Sequence, residues 1–291
     1  MRGSTIERVG RRGKYLMWTL AEDRYLLINL RMTGTLLFDP PAEPLHTRVR
    51  MALDDGHRLI YVDPRRFGTG HLLLGTPARD AYLASRLGVE PFTPEFTPEH
   101  LRRIARGRTA PVKAFVLDQK RIAGVGNIYA DEALYRAGIH PLRPAGRLTL
   151  PEWGGVREAI EDALGEGIEA KGASIDDFRH VDGARGSFQD RFLVHLRAGE
   201  PCSRCGHAIR KIVVGGRGTY VCERCQRKPR ATRAAARPRR AERRAGRPGP
   251  ALGDHQVGQS ALAVSREELR KSTDRLSVDH DLGERVHPGD G

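Results

Sequence analysis

The chain has 291 residues, length enough for two domains with separate cores, and a formal net charge of +14 from 50 Lys and Arg against 36 Asp and Glu. That balance points to a polyanionic partner, although a basic tail contributes to it. No apolar run approaches membrane-spanning length and no secretory signal opens the sequence, so a cytoplasmic or nucleoid-associated protein without membrane contact is expected.

Residues 1–95 read as mostly strand. Tyr25–Leu30, Thr47–Leu53 and Arg58–Val62 are short, rich in β-formers and separated by turn residues, and Asp54-Asp-Gly56 suits a hairpin turn. Arg11-Arg-Gly-Lys-Tyr-Leu16 reads as a basic loop leading into a strand. Asp63-Pro-Arg-Arg-Phe-Gly68 places two arginines and an aromatic after a rigid proline turn; such a loop either buries its phenylalanine or offers an apolar wedge beside a cation. Near residue 95 the composition changes, and helical periodicity begins at Pro98 and continues to about Lys171, including Pro151–Ala163.

Within that helical stretch, Pro111–Leu117 carries apolar residues at helical spacing, and Gly124-Val-Gly126 signals a tight turn. Asn127 sits where an N-cap belongs, with Asp131 and Glu132 in the first turns of the next helix. Two helices meeting at a glycine turn, with Lys120 and Arg121 beside the second N-terminus, form either a packing unit or a phosphate site. Gly172 to Gly186 reads as a mobile loop or a short helix with hinges.

All four cysteines lie between residues 202 and 225, as Cys202-x-x-Cys205 and Cys222-x-x-Cys225. Two such knuckles complete a tetrahedral zinc shell, closed and structural, that holds a β-hairpin too small to fold alone. The hairpin is expected from Ala208–Val214 and Thr219–Val221, with Arg217 at the glycine-flanked tip between them. Beyond Lys228 the Arg-, Ala- and Pro-rich composition cannot form a core, and residues 229–291 are expected to be a disordered basic tail.

From about Ile6 to about Arg227 the wording resembles the formamidopyrimidine-DNA glycosylase/endonuclease VIII family. The resemblance is carried by Arg11–Leu16, Arg31-Met-Thr-Gly34, Asp63–Gly68, Gln119–Leu134 and the four cysteines. It implies an α+β fold: an antiparallel β-sandwich over 1–95, a helix-two-turn-helix domain over 96–187, a four-cysteine zinc finger over 188–228, and the tail. It implies that Met32, Arg65 and Phe67 fill the gap left by an extruded base, a set that looks more like the branch acting on oxidised purines. It implies Lys14 beside the reacting sugar-phosphate, Arg217 near the lesion, and His46, Arg65, Arg108 and Asn127 on the DNA. Gly183–Gln189 matches the loop that closes over the damaged base, whereas Val194-His-Leu-Arg197 departs from the family's usual Tyr-Gly pair.

Members of the family begin with a proline amine that attacks the sugar C1′, helped by a glutamate. This chain opens Met-Arg-Gly-Ser-Thr-Ile, wording that corresponds to the family's interior. The expectation is therefore a start set too late, and, in the chain as written, a sandwich lacking its first helix and strands, with an unpaired sheet edge. The resemblance implies a bifunctional glycosylase and AP lyase on oxidised purines in duplex DNA, acting through a Schiff base and β,δ-elimination, monomeric and with one structural zinc. Two alternatives stand beside it: a non-catalytic lesion or abasic-site binder, and a general zinc-ribbon protein whose tail makes the main nucleic-acid contact.

Overall fold

A computed structural model describes residues 3–173, 186–229 and one strand at 261–264. Seven strands come first: β1 (Ile6–Arg12), β2 (Tyr15–Leu20), β3 (Arg24–Asn29), β4 (Thr35–Phe38), β5 (Thr47–Leu53), β6 (Arg58–Val62) and β7 (Thr69–Leu74). One antiparallel sheet runs β1-β2-β3-β7; in the other, β6 lies between β5 and β4. Ile6, Trp18, Leu20, Leu26 and Ile28 of the first sheet meet Leu36, Met51, Leu53 and Leu59 of the second, which is the core of a β-sandwich. The Asp54–Gly56 turn forms as expected: Gly56 takes φ 86° and the Leu53 N–H donates to His57 O at 2.9 Å.

Two details differ from the sequence reading. Arg11 and Arg12 lie on β1, paired with Leu16 and Tyr15, so the basic segment is the end of a hairpin strand and not a loop. A helix, α1 (Thr76–Ala84), falls inside the stretch read as strand; it buries no residue, so its only sequence signal is Pro77 in the first turn.

The helical domain comprises α2 (Pro98–Ala105), α3 (Val112–Leu117), α4 (Asn127–Arg136) and α5 (Leu150–Glu169). The Thr97 hydroxyl caps α2 through the His100 N–H, and Thr149 with Glu152 forms a reciprocal capping box on α5. Phe96, Leu101, Val112, Phe115, Ile122, Leu134, Trp153 and Ile160 form its core. No helix among the described residues is long and apolar enough to cross a membrane.

The last module is the hairpin β8 (Arg210–Val214) and β9 (Arg217–Val221). Its turn is Gly215-Gly216, with φ of 57° and 74°, and Arg217 is the first residue of β9, paired with Val214, one step past the tip where it was expected. A further strand, β10 (Ala261–Val264), runs parallel to the outer edge of β5, Ala261 beside Arg50 and Val264 beside Leu53. This segment satisfies the N–H and C=O groups along that edge of β5. The stretch read as a structureless tail contributes that one strand, and the rest of 230–291 lies outside the described residues.

The link into the finger carries a strained residue. Leu196 has φ 61° and is half exposed, at the position where the related family usually has glycine. A left-handed conformation costs a non-glycine residue about 1–2 kcal/mol, while glycine costs about 0.5–1 kcal/mol more in chain entropy. Leu196→Gly is expected to be stabilising by about 0.5 kcal/mol in urea denaturation; a loss of stability would show that the leucine side chain matters more than the backbone.

Candidate nucleic-acid interface

Segments far apart in sequence converge on the turn between β1 and β2. Arg11 and Arg12 both pair with Glu90, which is 8% exposed, and Glu90 also accepts the Gly13 N–H at 3.0 Å. Arg12 reaches Gly88 O at 3.0 Å. The same short segment is held to the helical domain by Gly88 N–H to Gln119 O and Ala123 N–H to Val89 O, both 2.8 Å. A methyl group at Gly88 would lie 2.3 Å from Arg121 O, so only glycine permits this approach. The turn is thereby laid on the glycine turn before α4, where a methyl on Gly126 would come within 3.6 Å of Lys14 Nζ.

The Lys14 side chain keeps an exposed surface there. Partial desolvation by the surrounding atoms, then the neighbouring charges of Arg217 and Arg31, bring its pKa down to about 8. A phosphate placed against it favours the ammonium and raises that value again. DNA binding is therefore expected to take up a proton between about pH 8 and 9, read by calorimetry in buffers of different ionisation heat. Lys14→Met should abolish the uptake; uptake that persists in that variant assigns the proton to another group.

Asn127 is not the N-cap. Gly126 holds that position, Asn127 is the first helical residue, and no side chain caps α4. The Asn127 Nδ2 instead donates to Gly218 O at 3.0 Å, on β9, which leaves its buried Oδ1 without a partner. Asp131 and Glu132 fall in the first turns of α4 as expected, and both are fully buried. Asp131 pairs with Lys113 at 2.7 Å and with His195 Nδ1 at 2.8 Å. Lys113, also fully buried, donates to Gly218 O at 3.0 Å and Thr219 Oγ1 at 2.7 Å. The Glu132 carboxylate accepts the N–H groups of Leu193, Val194 and His195 at 2.9–3.0 Å. This network fixes the strand that carries Arg217 to α3 and α4. Its one sequence signal was a lysine inside the apolar run Pro111–Leu117. His195, at one of the two positions that depart from the related family, is turned inward, edge-on to Tyr220, and is not a surface phosphate contact.

A second group forms on the sandwich. Asp63 is 1% exposed and accepts from Thr33 Oγ1 at 2.5 Å, Gly68 N–H at 2.8 Å and Tyr61 at 3.2 Å. Burial alone would push its carboxyl up, but these bonds outweigh it and hold the pKa below the usual value. They tie Arg31–Gly34 to Asp63–Gly68. Methyls on Gly34 and Gly68 would collide with Leu30 O at 2.4 Å and Tyr61 OH at 1.6 Å. At the outer end the Arg65 guanidinium stacks 4.7 Å above the Phe67 ring and lies 3.9 Å from Met32 Sδ. Met32 and Phe67 are 69% and 48% exposed. With Arg65 between them they form a small exposed group on the sandwich.

His46 is exposed beside this group, its carbonyl accepting the Asp63 N–H at 3.2 Å. Arg108 is exposed on the turn after α2, and its backbone meets only Ala105 and Gly146 among the described residues. Of the loop Gly183–Gln189, residues 183–185 lie outside the described residues; Phe188 and Gln189 open a single 3-10 turn, Phe188–Arg191, in which Phe188 is buried.

The four cysteine sulfurs all lie within 4.8 Å of one another, with Cys202–Cys225 at 3.8 Å and Cys205–Cys222 at 3.4 Å. Zn–S bonds of about 2.3 Å place tetrahedral thiolates about 3.8 Å apart, so the set fits a closed structural zinc site and no disulfide. Cys202 and Cys222 pack with Tyr135, Ile209 and Tyr220 in a small core of their own.

Family models match along most of the chain: the formamidopyrimidine-DNA glycosylase N-terminal domain at residues 1–70, the H2TH domain of the same enzymes at 87–179, and the zinc finger found in FPG and IleRS at 199–227. The formamidopyrimidine-DNA glycosylase of Chloroflexus aggregans is 47% identical over 228 residues, 77% of this chain and 82% of its own. The protein belongs to the formamidopyrimidine-DNA glycosylase family. The enzyme of Shouchella clausii is 44% identical over 79% of this chain and 83% of its own. Among solved structures, MutM (Fpg) of Thermus thermophilus is similar with a TM-score of 0.71 at 41% identity, covering 77% of this chain and 84% of that one. A Lactococcus lactis FPG mutant in complex with Fapy-dG containing DNA gives 0.72 at 36% identity, covering 78% and 83%. The sandwich, the helix-two-turn-helix pair and the zinc-held hairpin are the three parts of this family's fold.

Proposed function

We propose that this member of the family is a base-excision repair enzyme, a bifunctional DNA glycosylase and AP lyase that removes formamidopyrimidines and 8-oxoguanine from duplex DNA. The observation that carries the reading is the meeting of Lys14, Asn127 and Arg217 from three separate modules at one point, with the stacked Met32–Arg65–Phe67 group standing exposed on the sandwich. In this reading Lys14 faces the sugar-phosphate of the extruded nucleotide, Asn127, His46 and Arg108 hold backbone phosphates, and Arg217 lies near the lesion. Met32, Arg65 and Phe67 occupy the space the base leaves in the stack. One zinc holds the hairpin and takes no part in the chemistry. The working units are the sandwich over 1–95, the helical domain over 96–187, the finger over 188–228 and the basic remainder, in a monomeric cytoplasmic protein associated with the nucleoid.

A duplex carrying 8-oxoguanine opposite cytosine tests this directly. For a form that carries the family's N-terminal proline amine, release of the free base with a nick at the lesion, a borohydride-trapped protein–DNA adduct and no cutting of the undamaged duplex are the expected results. Tight binding of the damaged duplex without release or adduct would overturn the enzymatic reading in favour of a lesion binder.

A further inference from the structure

Between α2 and the segment that enters α5 lies an open cleft of about 680 Å³. Arg102, Arg103 and Arg106 line it from α2 and its end, and Arg147 lines it from the turn before α5; Glu99 is its one carboxylate. None of these five groups is in an ion pair among the described residues; Arg103 meets only the His100 ring, at 2.9 Å. The helix dipole favours cations in the last turn of α2. It does not account for Arg147, brought from another element to the same cleft.

Trp153 supplies an independent observation. It lines the same cleft and is fully buried, yet its Nε1–H has no hydrogen-bond partner. Buried donors without acceptors are rare because the lost hydration is not replaced. An anion with several acceptor oxygens matches the planar forks of the arginines, and its charge beside Trp153 acts on the unpartnered indole N–H. Gly146, also in the lining, donates to Arg108 O at 2.9 Å, so the cleft adjoins the Arg108 turn.

We propose that this arginine-lined cleft is a second anion site that binds a phosphate group, separate from the surface around Lys14, Asn127 and Arg217. A phosphodiester of a DNA backbone running past Arg108 and a free phosphate present the same chemistry, and the test separates them. The chain has two tryptophans, so the Trp153 indole N–H signal is assigned by comparison with Trp153→Phe. Millimolar inorganic phosphate is expected to move that signal in a saturable way, and Arg106→Gln/Arg147→Gln should abolish the movement. This arm reads the site without DNA and is independent of the repair function.

The second arm compares a duplex confined to the lesion surface with one extended by a helical turn. If backbone phosphate is the occupant, only the extended duplex moves the signal. The double variant then weakens its binding about tenfold and lowers its salt slope by about 2, leaving the short duplex unchanged. Movement with inorganic phosphate but not with the extended duplex makes the occupant a free phosphate compound. A Trp153 signal that responds to neither probe, or that still responds in the double variant, overturns the site.

Discussion

Stripping zinc with a chelator, or replacing Cys205 by serine, is expected to release one metal ion per chain and to reduce lesion-directed DNA binding and incision by a factor on the order of 10²–10³. The core around the finger is small, six buried residues of which two are the cysteines Cys202 and Cys222 and one, Tyr135, comes from α4, so without the metal nothing else of comparable strength closes the loop between residues 202 and 225. Structural zinc contributes about 10–16 kcal/mol to modules of this kind, far above what the five paired positions of β8 and β9 supply. Losing the hairpin removes Arg217 from Lys14 and removes Gly218 O and Thr219 Oγ1 from buried Lys113. The helical domain has a separate core, so far-ultraviolet circular dichroism should keep its helical signal. Retained incision at full rate by a metal-free protein would mean that the hairpin stands without zinc.

Asp131→Ala is expected to cost about 3–5 kcal/mol of stability, because it leaves the fully buried Lys113 without its counter-charge. Burial lowers the pKa of Lys113, and Asp131 opposes that shift. A lysine whose folded pKa is depressed weighs on the fold while it is protonated. The penalty is fully present below the folded pKa and fades as pH rises toward the unfolded value near 10.5. The stability gap between Asp131→Ala and the parent should therefore narrow in urea melts taken at increasing pH. Replacing both residues, as Lys113→Met/Asp131→Leu, should recover much of the loss, since a well-packed apolar pair substitutes for a buried ion pair. Incision should not recover with it, because Gly218 and Thr219 would still lack the lysine that fixes β9. A single-variant loss below about 1 kcal/mol, or one that does not change with pH, would show that water reaches Lys113.

Much of the molecule is legible in local wording. The four cysteines specify their metal by spacing alone, because a tetrahedral thiolate shell requires two tight knuckles. The sandwich strands, the start of helical periodicity at Pro98 and the glycine turn before α4 follow from period and backbone freedom, which are properties of a few adjacent residues. The same locality misled where the decisive partner was distant. Asn127 has the composition of a cap, but the carbonyl of Gly218 claims its amide. Asp131 and Glu132 fall in the first turns of α4 as read, but only the fold shows them buried against Lys113 and the backbone of residues 193–195. Arg11 and Arg12 resemble loop charge until Glu90 is placed across from them.

Sequence by itself thus determined the class of each module, the zinc, and the residue types available at each turn. Only the tertiary structure decided that Lys14 stands beside Gly126 and Arg217, and that Arg65 stacks on Phe67 next to Met32. It alone showed that four arginines line one cleft together with Trp153, whose buried N–H has no partner. The physical reason is that charge pairing, desolvation and stacking act over a few ångströms of space, whereas sequence patterns report neighbours along the chain. Lys14 and Arg217, about two hundred residues apart in the chain, acquire their shared electrostatics only once the folded modules bring them together.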